Sequence, residues 1–152
     1  MKLTESDVRE LAKLGRERRE RLDLRGRDLS GLGLYKVDLS GADLSEADLT
    51  QINLAAGDLA AVDLSRATLA EAELTKAHLK GATLRQANLA AANLTEADLR
   101  DADLRETRLV GTNLSRANLS GADLQGARYD KHTKWSVAFD PEAAGAIFVV
   151  ST

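Results

Sequence analysis

Cysteine is absent and proline occurs once, at Pro141. Without thiols there is no disulfide framework and no thiolate chemistry. Aromatic residues make up 3% of the chain against 43% for all hydrophobic residues, so the core must be aliphatic. No apolar run follows Met1; Lys2 and further charged residues come next, so we expect no signal peptide, no membrane span and a cytoplasmic location. The net charge is only −3, which does not favour direct nucleic acid binding. Histidine occurs twice, at His78 and His132, and neither stands in a ligand set. No Gly-rich phosphate loop is present, because Gly26, Gly31, Gly41, Gly81, Gly111, Gly121 and Gly126 all share one position of a repeat. These absences leave little for catalysis. The expectation is a chain that is not an enzyme, with no cofactor and no metal.

What is present is leucine at every fifth position from Leu24 to Leu124, 21 times without a miss. Two residues before each leucine the side chain is usually small, as at Ala42, Ala67, Ala92 and Ala117. One residue before, it is usually Asp or Asn. The unit reads Ala-(Asp/Asn)-Leu-x-x, and such a period dictates the fold before anything else does.

A period of five suits neither a helix nor a continuous strand. On a helix successive leucines would sit roughly 140° apart, and on a strand they would alternate between faces. Within one unit, however, the small residue and the leucine are two apart and share one side of an extended segment. The chain must then turn before the next small residue. Repeating the short extended piece and the turn coils the chain, with leucine and the small residue inside. A superperiod of 20 places Asp23, Asp43, Asp63, Asp103 and Asp123 in one column, but columns spaced by 25 look nearly as regular.

The ends differ from the repeat. Residues 4–14 have the pattern of a helix, with Thr4 and Asp7 as a capping box and Val8, Leu11, Ala12 and Gly15 as an apolar stripe. Gly15 could end it, or it could run on towards Glu20. Arg16, Arg18, Arg19 and Arg21 follow, favourable at a helix C-terminus. The first units carry Arg27 and Gly33 against the pattern, and a coil open or covered near Arg27 is expected. At the other end Tyr129 takes a leucine slot. Asp140 and Pro141 read as a cap and first residue of one helical turn over 141–144, and Ala146 to Val150 is apolar and β-prone.

The Ala-(Asp/Asn)-Leu-x-x run resembles the pentapeptide-repeat family, over roughly 70% of the chain. The resemblance implies an all-β solenoid: a right-handed quadrilateral β-helix, four units to a coil, with an N-terminal capping α-helix and a C-terminal cap. The tail resembles those of cyanobacterial members and implies a bacterial source. The domain organisation expected is a helical cap at 1–21, repeats at 22–130 and a C-terminal cap at 131–152. The expected function is non-catalytic protein interaction or scaffolding, with another protein as partner, no direct nucleic acid binding and no membrane. The candidate contact face is the acidic column Asp23, Asp43, Asp63, Asp103 and Asp123. The alternative is a DNA-mimicking binder of a type II topoisomerase, giving gyrase inhibition or quinolone protection. A homodimer through the C-terminal end is the candidate assembly.

Overall fold

The computed structural model describes residues 1–151. Helix α1 spans Glu5–Arg18, and two short parallel strands, β1 at Arg128–Tyr129 and β2 at Ile147–Phe148, lie at the far end. Between them the chain winds as a right-handed quadrilateral β-helix. Each bridge joins residues 20 positions apart, from Asp23 with Asp43 to Arg108 with Arg128. Four units therefore make one coil, and the spacing of 20 prevails over 25.

The repeat length follows from its hydrogen bonds. In the unit around Leu44, Asp43 N–H donates back to Leu22 O at 2.8 Å, and Leu44 N–H forward to Asp63 O at 2.8 Å. Glu46 N–H also donates forward, to Ser65 O at 2.9 Å, and Ala47 N–H closes the corner on Leu44 O at 3.1 Å. The remaining donor, Ser45 N–H, has no backbone acceptor and bonds the Asp43 carboxylate at 3.0 Å. All five donors are satisfied, as a backbone held away from water requires.

All 21 leucines from Leu24 to Leu124 are buried, including Leu24 and Leu29 beneath the helix. Thr107 and Thr112 replace alanine inside, and their hydroxyls donate to Leu104 O and Leu89 O, both at 2.8 Å. Arg27 is exposed at the edge of the first coil, as its charge demands. Every corner places its second residue in the left-handed region, with φ between 55° and 74°. Glycine fills only some of these corners; Glu46, Arg66 and Lys76 hold the same conformation with side chains. Each such residue carries about 1 kcal/mol of strain, which the bonds on either side of the corner hold in place.

Helix α1 covers the open first coil. The Thr4–Asp7 capping box forms, and Val8 and Ala12 pack on the leucines. Of the two endings open in the sequence, the helix takes the longer, running through Gly15 to Arg18 and ending on Arg19 in the left-handed conformation. At Gly15 the returning chain comes so close that a Cβ would lie 3.2 Å from Glu20 O. Leu11 is exposed rather than part of the packed stripe. The cap also supplies polar partners to the first coil. Glu5 accepts from Gly33 N–H at 2.8 Å, Arg9 donates to Tyr35 O at 3.1 Å, and Arg16 to Asp38 O at 3.0 Å. These backbone groups are those a preceding coil would have paired, so the cap closes the edge with bonds as well as bulk.

At the other end the register slips. Asn113 bridges Lys134, 21 positions on, and Arg128 pairs with Ile147, 19 on. Tyr129 fills its leucine slot and meets Trp135 and Phe148 edge-on, with ring centroids at 5.4 and 5.6 Å. Asp140 caps a single hydrogen-bonded turn over 141–145, accepting from Ala143 N–H on its carboxylate at 3.1 Å and from Ala144 N–H on its carbonyl at 3.2 Å.

Two substitutions separate the core from the corner. Leu79→Ala should cost about 2–5 kcal/mol, because the rigid ladder cannot collapse into the cavity. Gly81→Ala should cost about 1 kcal/mol, from its φ of +68° alone, since nothing lies within 4 Å of the added Cβ. Urea unfolding of both variants checks the order.

Candidate interaction surface

The Asp/Asn position faces outward beside each leucine, so the coil turns a sequence column into a vertical row. Asp23, Asp43, Asp63, Asp103 and Asp123 do come together on one face, with Thr83 between Asp63 and Asp103. Each carboxylate has a local task. It accepts the N–H two residues on: Arg25 at 3.1 Å, Ser45 at 3.0 Å, Ser65 at 2.9 Å, Arg105 at 3.1 Å and Gln125 at 3.0 Å. This is an Asx turn, and it explains why Asp and Asn interchange here, since either side chain offers the oxygen. The periodicity alone did not reveal this role. Its signal was the Ser, Thr or Arg that so often follows two residues after the acid. Ser45 and Ser65 hydroxyls bond the same carboxylates at 2.6 Å.

Arginines then counter the charge. Arg25 forks onto Asp23 at 3.0 and 2.7 Å, and Arg105 onto Asp103 at 2.9 and 2.7 Å. Arg21, from the N-terminal cap, stands 3.6 Å from Asp43 and 3.9 Å from Asp63. Arg105 also stands 3.8 Å from Asp123. Layers about 4.8 Å apart would otherwise set carboxylates against one another at roughly 1 kcal/mol per pair in water. The Arg25 guanidinium, with its backbone N–H, holds the Asp23 carboxyl down at about 2. The Arg105 fork lowers Asp103 in the same way. Burial pushes Asp43 up, but the Ser45 bonds and Arg21 outweigh it and leave it lowered.

A second acid sits deeper. Asp130 is buried just past the repeat and accepts from Gly111 N–H at 2.9 Å and His132 N–H at 3.1 Å. Burial raises its carboxyl, yet these bonds more than compensate and hold it at about 2. Where the register slips, its side chain takes the N–H of Gly111 that the next coil would have accepted.

His78 lies outward in a different row, between Asp58 and Asp98. His132 lies in the tail, exposed. Among the described residues no three His, Cys, Asp or Glu side chains gather as metal ligands, and no helix is long and apolar enough to cross a membrane.

A family model described as pentapeptide repeats matches the chain in eight copies, over residues 21–55, 47–89, 63–101 and 92–128. Among solved structures, the pentapeptide repeat protein Rfr23 from the cyanobacterium Cyanothece 51142 is 30% identical with a TM-score of 0.76, over 84% of this chain and 98% of its own. HetL, a pentapeptide repeat protein involved in heterocyst differentiation regulation in Nostoc sp. strain PCC 7120, is 29% identical with a TM-score of 0.76, over 90% of this chain. The chain spans 57% of HetL's length. QnrB1, a plasmid-mediated fluoroquinolone resistance protein, is 15% identical with a TM-score of 0.36, too low to carry an argument. No curated protein sequence matches the chain.

The two roles of the column separate by substitution. Asp43→Asn keeps the acceptor for Ser45 N–H and should leave stability nearly unchanged, whereas Asp43→Lys removes it and should cost about 1 kcal/mol or more. Thermal melts of the two variants read the difference. The pH dependence has a definite sign. Asp23, Asp98 and Asp130 all have folded values held down at about 2, below the unfolded carboxyl. Their stabilisation is therefore complete above about pH 4 and lost as pH falls towards 2. Melting temperature should drop across that window, and less so in Asp130→Asn.

Proposed function

The chain belongs to the pentapeptide-repeat family, and we propose that it is a non-catalytic protein-interaction or scaffolding module. The observation that supports this is the outer surface: a ladder of backbone hydrogen bonds from coil to coil holds three outward side chains per unit in fixed positions. Binding through such a surface costs little backbone ordering. The interior offers no room for a substrate, because leucine and small residues fill it. The contact face proposed first is the column Asp23, Asp43, Asp63, Asp103 and Asp123 on its flat wall. One wall some 25 Å tall, from about five layers, is the size of a small interface rather than a large obligate one. The partner is another protein, met in the cytoplasm. Exposed Val137, Ile147, Phe148 and Val150 support a homodimer through the C-terminal end.

The alternative is the DNA-mimicking binder of a type II topoisomerase. The row of acids favours it, since phosphates also stand in regular rows. The guanidiniums of Arg21, Arg25 and Arg105 weaken it, because they neutralise the row within the molecule.

The test uses Asp43→Asn, Asp63→Asn and Asp103→Asn together, which remove charge but keep the Asx acceptors. Affinity capture with the native chain should retain a protein that the triple variant loses, at an unchanged melting temperature. Identical capture by both moves the contact off this face; no specific capture by either removes the module reading. A gyrase supercoiling assay should show no effect, and inhibition abolished by the triple variant would install the alternative.

A further inference from the structure

On a different wall, whose row starts at Asp28 and Asp48, the last coils carry charge of the opposite sign. Arg108 and Arg128 occupy the Asp/Asn position in successive coils and bridge each other across one layer. Both are exposed. Other arginines near this position, such as Arg25, Arg100 and Arg105, fold onto the acid two residues before them. These two have no such anchor. Glu106, two before Arg108, is engaged by Arg85 at 3.1 Å and by Gln86 at 3.0 Å. Asp130, two after Arg128, is buried and taken by backbone donors. No acid of the described residues stands within ion-pair distance of either guanidinium.

The pair lines a groove of about 470 Å³ at the neighbouring corner. Its other walls are largely apolar, with Ala90, Ala91 and Val110 on the coil and Val149 and Val150 from the segment after β2; Ser151 and Asp130 also line it, the Asp130 carboxylate being taken by the Gly111 and His132 N–H groups. Elsewhere that corner is polar, with Gln51 bonded to Glu71 at 3.1 Å. The same position in the next coils changes to alanine and glycine just where the arginines begin.

We propose that this groove binds an acidic segment of a protein partner, with carboxylates on Arg108 and Arg128 and an apolar side chain against Ala90, Ala91 and Val110. The inference rests on the interaction-module reading and names the partner's chemistry. Guanidinium forks match carboxylates two bonds at a time, and successive layers offer two forks about 4.8 Å apart. The apolar walls favour a peptide over a free anion, which would gain nothing from them. Because both arginines are exposed, binding is modest and weakens with salt.

The probe is a fluorescein-labelled hexapeptide alternating glutamate and valine, read by anisotropy at low ionic strength. The variant is Arg108→Asn with Arg128→Asn, which installs a residue common at this position and preserves the fold. The native chain should bind the peptide, with affinity falling about tenfold or more in the variant. A matching glutamine–valine peptide should not bind, and inorganic phosphate should compete only in large excess. Equal binding by the variant, equal binding of the glutamine peptide, or displacement by equimolar phosphate overturns the proposal. If the native chain ignores the glutamate peptide while affinity capture still retains a partner, this groove falls and the module reading stands.

Discussion

The structure depends on one constraint: five backbone donors per unit, each needing an acceptor, in a chain that turns a corner every five residues. Three donors reach neighbouring coils and one closes the turn. The fifth finds no backbone acceptor, and where the Asp/Asn position carries Asp or Asn that side chain receives it. Leucine burial supplies the free energy, but this accounting supplies the shape. A residue that fails at the Asp/Asn position leaves the wall standing, because the ladder on either side is intact; Arg108 and Arg128 occupy it without breaking the coil.

The same accounting explains the ends. A β-helix stops only where its last donors and acceptors find other partners. At the start, α1 brings Glu5, Arg9 and Arg16 to backbone groups of the first coil. At the finish, Asp130 and Thr133 take over, with the Thr133 hydroxyl donating to Leu109 O at 2.7 Å. The aromatic cluster around Tyr129 then fills the width that leucine no longer fills. Polar closure and apolar plug are separate devices, carried by separate residues.

Most of the coil was legible from Leu24 to Leu124, because a single register leaves one way to bury every leucine. The number of sides was not, since columns of 20 and 25 both occur and only the bridge from Asp23 to Asp43 decides. The acidic column was legible as a row, but its bond to the following N–H was not, because a period shows which side chains align and not what they accept. The cap was half legible. Thr4 and Asp7 gave its start; its end stayed open between Gly15 and Glu20, because a glycine that often stops a helix is kept here for the close return of the chain at Glu20. Arg108 and Arg128 stood out only once their neighbours' acids were seen to be taken.

The pairing of every residue with the one 20 positions on sets a rule for how such a chain can change length. Inserting one unit of five residues keeps each leucine inward but rotates all later walls by a quarter turn against the earlier ones. The acids of Asp23 and Asp43 would then continue into a neighbouring wall. Inserting a full coil leaves every wall continuous and only lengthens it. Surfaces that read as one row are therefore inherited in steps of a coil, while smaller steps rewrite which residues are neighbours without disturbing the core.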